Sequence, residues 1–143
     1  MKHLIKYKLF LEARSERELT QTISYIKQLE IAEFLRDLSL ELWDDNFNVQ
    51  VSHTALRNAD DIVFTVNIVK RGDKRFLFDN VKEVVKSMQN YMESEGFIVS
   101  QVEVCDAAGW YGATLKDGEL LSKTFGEEIN HLIGVLTINF SKK

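Results

Sequence analysis

The sequence predicts an α+β domain, and two changes of hydrophobic period carry that prediction. Between Leu40 and Val51 the spacing of apolar residues shifts from about 3.6 to 2, so a helix gives way to a strand. The same change recurs between Tyr91 and Val102, where Gly96 separates a helical run from Phe97, Ile98 and Val99. A chain of 143 residues that is 45% hydrophobic and 28% charged holds enough apolar material for one core, so residues 1–143 read as a single domain. The expected architecture is a two-layer sandwich, with a mainly antiparallel four-stranded sheet carrying two principal helices on one face in the order α-β-β-α-β-β.

Residues 6–13 fit either a short strand or a first helical turn. Ser15, Glu16, Arg17 and Glu18 spell a capping box, so a helix is expected to begin at Glu16. Its apolar stripe runs through Leu19, Ile23, Ile26, Phe34, Leu35, Leu38 and Leu42, with a phase shift near Leu29 to Ile31 that leaves one long helix or two in succession. Asp44, Asp45 and Asn46 form a polar stop. Phe47, Val49 and Val51 then alternate with polar residues as a half-buried strand, and Ile62, Phe64, Val66 and Ile68 mark a second. With the turn-like 57–61 between them, the two are expected to pair as an antiparallel hairpin.

Asp79 is the expected cap of a second helix that turns Val81, Val84, Val85, Met88 and Met92 inward, and Gly96 closes it. Phe97 to Val104 reads as the third strand and Leu132 to Phe140 as the fourth. The long stretch Asp106 to His131 between them is the least regular. Within it Tyr111, Ala113 and Leu115 fit a short strand, while Leu120, Leu121 and Phe125 fit a short helix.

Composition narrows the function classes. The 18 Lys and Arg against 22 Asp and Glu give a formal charge of -4, which weighs against a binder that depends on neutralising many phosphates. One cysteine, Cys105, forms no internal disulfide and fits a reducing cytoplasm. The amino terminus lacks the apolar core of a signal peptide, and charged residues interrupt every candidate membrane span, so no membrane role is expected. The absence of proline leaves helix stops and turns to Gly, Asn and Asp.

No catalytic or cofactor signature stands out. His3, His53 and His131 are far apart without metal-ligand spacing, so neither a metal nor a cofactor is expected. Asp44-Asp45 and Asp60-Asp61 read as solvated turn and cap residues. His53 and Cys105 each end a strand and would form a nucleophile pair only if those strands were neighbours. Arg71-Gly72-Asp73 reads as a turn. Lys70, Arg71, Lys74 and Arg75, beside Phe76 and Phe78, form the densest basic and aromatic cluster, a pattern used for single-stranded nucleic acid. Trp110 and Tyr111, between Gly109 and Gly112, are the residue types that anchor interfaces and equally fit a lid over the core, and Phe125 lies in the same stretch.

The run from Glu41, Leu42, Trp43 and Asp44 through Asn46 to Val51, with the later helix ending at Glu95, Gly96 and Phe97, resembles small α+β accessory proteins of tailed bacteriophages. That resemblance implies a virus-encoded accessory or structural protein working in a host bacterial cytoplasm, with no catalytic residue to carry over. The leading expectation is a non-enzymatic protein-interaction module that presents Trp110, Tyr111 and Phe125, or a sheet edge, to a protein partner or to a second copy. The alternative is a small nucleic-acid-binding protein using Lys70, Arg71, Lys74, Arg75 and Phe76. A third reading is a small enzyme or nucleotide binder with a site near His53 and Cys105.

Overall fold

The computed structural model describes residues 16–54 and 62–143, with side chains from residue 24 onward. The capping-box serine, the 6–13 segment, His3 and the 57–61 turn lie outside the described residues. Helix α1 (Glu16–Leu38) runs unbroken through Leu29 to Ile31, and a one-residue interruption at Ser39 separates it from α2 (Leu40–Asp44). The buried Ser39 hydroxyl donates to the Arg36 carbonyl at 2.6 Å, which occupies an acceptor freed at the helix end. Asn46, at φ 68°, reverses the chain into β1 (Phe47–Thr54). β2 (Val63–Lys70) pairs with β1 antiparallel from Phe47↔Lys70 to Thr54↔Val63, as the alternation predicts.

Asp79 does not cap the second principal helix. It sits in a 3-10 turn, Phe78–Asn80, where the Asn80 side chain accepts from the Leu77 amide at 3.2 Å. Helix α3 (Lys82–Ser94) follows, with Val84, Val85, Met88 and Met92 buried, and Gly96 at φ 89° ends the turn after it.

The four-stranded sheet is corrected to six strands, because the stretch expected to be a connection folds into the sheet. β3 (Phe97–Asp106), β4 (Gly109–Lys116) and β5 (Glu119–Ser122) form a meander, and β6 (Val135–Lys142) follows. The expected α-β-β-α-β-β order thus becomes α-α-β-β-α-β-β-β-β. Across the sheet the strands lie β1-β2-β6-β3-β4-β5, with antiparallel neighbours throughout. The strand expected at Tyr111, Ala113 and Leu115 is β4, whereas Leu120 and Leu121 lie on a strand and Phe125 on a turn, with no helix there. Of the meander's second and third strands only Ala113 and Leu120 are buried, so the alternation that marks a strand rests on one residue apiece.

One face of the sheet carries the core. Phe47, Val49, Val51, Phe64, Val66, Ile68, Leu136, Ile138 and Phe140 meet Ile31, Ala32 and Leu35 of α1 and the inward face of α3. A bulge at Ser100 lets Val99 and then Val102 and Val104 face inward on β3, which is why the strict period of 2 breaks there. The helices also meet each other, with Phe34 stacked on Tyr91 at 4.1 Å between centroids and Lys27 paired to Glu95 at 3.0 Å. No described helix is long and apolar enough to cross a membrane.

Among the described residues nothing covers the other face, the bare face of the sheet. Its outward positions on β1, β2, β6 and β3 are Asn, Gln, Ser, Thr, Val, Ile and Cys, with Glu103 as the one charge. Thr65 donates to Asn139 at 2.8 Å and Thr137 to Asn67 at 2.5 Å, so cross-strand pairs on β2 and β6 satisfy one another.

Both sheet edges are managed. β5 is covered by the segment after it, through Ser122 N–H to Glu127 O at 2.7 Å and Ile129 N–H to Leu120 O at 2.8 Å. On β1 the Arg36 guanidinium donates to the Val51 carbonyl at 3.1 Å, occupying a group that a foreign strand would use.

Two substitutions check this packing by urea denaturation. Ile138→Ala, at a fully buried position, is expected to cost about 2–5 kcal/mol. Gly96→Ala meets no atom within 4 Å but keeps a positive φ, and is expected to cost only about 1–2 kcal/mol through backbone strain.

Candidate functional site

Trp110 and Tyr111 lie on β4, immediately after a tight β3–β4 turn, and not in a loop. Asp106 pairs with Gly109 across that turn, the Ala108 amide donates to Asp106 Oδ1 at 2.7 Å, and Gly109 adopts φ 111°, a conformation that favours glycine. Because successive strand residues point to opposite faces, the two aromatics separate. Trp110 projects from the bare face and is 59% exposed. Tyr111 pairs with Val104 and packs against the core on the helix side.

Trp110 ends a row that crosses the bare face. Asn48 pairs with Val69, Val69 with Val135, Val135 with Cys105 and Cys105 with Trp110. The neighbouring outward position on β4 is Gly112, which has no side chain, so the indole stands clear. At the β1–β2 end of this row the chain 70–75 borders a cavity of about 500 Å³ floored by Asn48, Val69 and Val135. The four expected basic residues, Lys70, Arg71, Lys74 and Arg75, all line it. Lys70 Nζ lies 5.3 Å from the Phe47 ring and the Arg71 guanidinium 4.7 Å from the Trp43 ring. Phe76 and Phe78 are absent from this surface: they are 1% and 5% exposed in the core, and the Phe76 ring meets Phe47 edge-on at 5.1 Å.

Phe125 belongs to a different place. It is 78% exposed on a turn fastened by Gly126 N–H to Ser122 O at 2.7 Å, and it shares a cavity of about 390 Å³ with Tyr111, Glu127, Glu128 and His131. The trio expected to form one interface is therefore split, with Trp110 on the bare face and Tyr111 and Phe125 around this second cavity.

At the rim of the second cavity sits a polar cluster that sequence spacing did not show. His131 Nε2 lies 2.8 Å from Asp106 Oδ2 and 3.1 Å from the Tyr111 hydroxyl oxygen. An ionised carboxylate only accepts, so Nε2 carries the proton and donates to Asp106. Partial burial works against ionisation of Asp106, but the bonds from His131, the Ala108 amide and Tyr111 outweigh it and hold the carboxyl below its usual range. Burial, followed by the hydrogen bond to Asp106 and its charge, pushes the Tyr111 phenol up to about 12.

The cluster contains an acid and a histidine but no paired nucleophile. Ser122 lines the same cavity, yet its hydroxyl faces the Phe125 amide at 3.5 Å. The cluster instead fastens the segment before β6 to the β3–β4 turn. Residues 25 apart meet only because the meander returns the chain, and nothing in their local spacing marks that.

His53 and Cys105 are not brought together. His53 shares the helix-side face with Val51, its ring is 5.7 Å from Phe64, and burial together with the Arg36 charge lowers its pKa. Cys105 lies on the bare face at the opposite end of the sheet. Among the described residues no group of three or more His, Cys, Asp and Glu side chains is placed to hold a metal ion. Comparisons with protein-family models, with curated proteins and with solved structures find no match.

The Asp106 cluster has a defined pH signature. A carboxyl whose folded pKa is depressed stabilises the fold above its ordinary value of 3.8, and that contribution is lost as pH falls through the lowered value. Tyr111 behaves oppositely: its contribution is present below 10.0 and lost as pH rises through about 12. Absorbance titration should show one tyrosine ionising near 12. In Asp106→Asn that transition should move down, staying above 10 because burial remains. A titration unchanged in Asp106→Asn would show that the pair is not formed in solution.

Proposed function

We propose that this chain is a non-enzymatic interaction module that docks a second copy of itself on the bare face of its sheet, with Trp110 as the anchor. The observation that carries the reading is that face: a layer that no described residue covers, on which a tryptophan stands 59% exposed at the end of the row Asn48, Val69, Val135 and Cys105. Large aromatics that bury on contact supply much of the affinity of an interface. Of the sheet edges, the other surface expected to bind, β5 is covered by residues 127–129, and on β1 Arg36 takes the Val51 carbonyl.

Charge distribution favours a second copy as the occupant. From residue 24 onward the helix layer carries Glu30, Glu33, Asp37, Glu41, Asp44, Glu83 and Glu93 against Lys27, Arg36, Lys82 and Lys86, so its balance is negative and does not favour a like surface. The inner strands of the bare face carry Glu103 as their one outward charge, so two copies meet there with little repulsion. Five strands of eight to ten residues and the four-residue β5 present at most roughly 24 by 27 Å, about 650 Å². That approaches the ~800 Å² per partner of an ordinary stable interface. A small self-associating accessory or structural protein, of the kind the bacteriophage resemblance implies, is consistent with this surface.

Size-exclusion chromatography with light scattering tests the reading. The wild type is expected at twice the 16.5 kDa chain mass, and Trp110→Ala should weaken the dimer by roughly thirtyfold, the effect of losing a 2 kcal/mol anchor. Tyr111→Phe, altered on the other face, should leave the mass unchanged. A wild type that stays monomeric across the concentration range, or a dimer indifferent to Trp110→Ala, overturns the proposal.

A further inference from the structure

The cavity beside residues 70–75 presents a concentration of cations that self-association does not explain. We propose that it is a phosphate-binding site, suited to the backbone of a single-stranded nucleic acid or to a free phosphorylated compound. The cavity shares Asn48, Val69 and Val135 with the bare face, whereas Trp110 lies two strands beyond Val135, about 10 Å away, and is not among its lining residues.

Three observations carry it. Lys70, Arg71, Lys74 and Arg75, with a single acid, Asp73, are among the residues lining one cavity of about 500 Å³, within the volume range of ligand sites. Among the described residues no carboxylate forms an ion pair with Lys70, Arg71, Lys74 or Arg75. Gly72 and Asp73, both at positive φ, reverse the chain so that Lys70 and Lys74 become direct antiparallel partners. Like charges placed opposite each other destabilise a strand pair, and an anion held between them removes that penalty. Phe47 and Trp43 hold the first two cations by their rings, which limits the freedom lost on binding. The Asn48 amide at the floor adds an uncharged donor.

The acidity of the whole chain does not oppose this reading, because it is distributed elsewhere. Much of it lies on the helices and the 127–128 turn, whereas the cavity has an excess of three positive charges from Lys70, Arg71, Lys74 and Arg75 against Asp73. Local potential, and not the formal charge of -4, governs capture of an anion. An acidic peptide would satisfy the charge but would not use the compact, multidentate oxygen array that closely spaced Lys and Arg side chains recognise.

Isothermal titration of the folded chain with pyrophosphate, with a ten-residue oligothymidylate and with oligoglutamate tests the site. The chain has two tryptophans, so Trp110→Phe leaves Trp43, under Arg71, as the sole emission reporter of occupancy. Saturable binding of a phosphate ligand is expected, with a matching change in Trp43 emission. Lys74→Ala with Arg75→Ala should weaken it about tenfold. Asp73→Asn, which removes the opposing charge and tolerates a positive φ, should tighten it about threefold.

For the oligonucleotide, three phosphate contacts predict a slope of log affinity against log salt of about -2. Affinity for the oligonucleotide at least tenfold above that for pyrophosphate assigns the site to a nucleic-acid strand, and equal affinities assign it to a free phosphorylated compound. Absence of heat and emission change with both phosphate ligands overturns the proposal. So does binding unchanged in the Lys74, Arg75 variant, or oligoglutamate binding as tightly as the phosphate ligands.

Discussion

Leu136, Ile138 and Phe140 are fully buried on β6, and that strand hydrogen-bonds to β2 on one side and to β3 on the other. Without it the protein is a hairpin under α1 and a meander under α3, joined mainly where Phe34 meets Tyr91 and Lys27 meets Glu95. Neither piece buries enough apolar surface to hold one face dry. Each row of the core, such as Val66, Ile138 and Val102, passes through β6. Both surfaces of interest depend on the same strand, since Val135 sits in the floor of the basic cavity and in the row that ends at Trp110.

The bare face follows from how the apolar residues are distributed. The helices α1, α2 and α3 cover the inward side, and no further helix exists among the described residues to cover the outward one. A sheet left open to water must satisfy itself there. The Thr65–Asn139 and Thr137–Asn67 pairs do so without charge, which keeps the face compatible with a like surface. The charged groups are displaced to the helices and to the turns at one end of the sheet. There the basic 70–75 turn and the acidic cavity beside His131 and Glu128 flank the connection into β6 from its two sides.

Much of this architecture is legible in the sequence. The helices, the β1–β2 hairpin and the glycine stop at Gly96 each follow from a strong period or a φ requirement, and such local rules are visible in a single chain. Of the meander, β3 and the short β4 over Tyr111, Ala113 and Leu115 were legible, but the four-residue β5, with Leu120 as its one buried residue, read as helix, and the joining of the three into one sheet was not visible. Strand order and the β3 bulge are products of long-range pairing, to which local pattern is blind. For the same reason the residue types at the candidate sites were readable and their grouping was not. Trp110 and Tyr111 are adjacent in sequence and face opposite ways, whereas Asp106 and His131 are distant and touch.

The position of β6 in the middle of the sheet, after every other strand in chain order, also bears on how the molecule is made. Thr65 and Asn139 are bonded across 74 positions of sequence, so the central pairing has to wait for a late segment. Until then a nascent chain holds two half-sheets whose inner borders, β2 and β3, are both unsatisfied and both apolar. Closing loops of that length is slow compared with forming a hairpin. The interval is a window in which β2 or β3 of one chain meets the β6 of another, so strand exchange between copies competes with self-completion during synthesis.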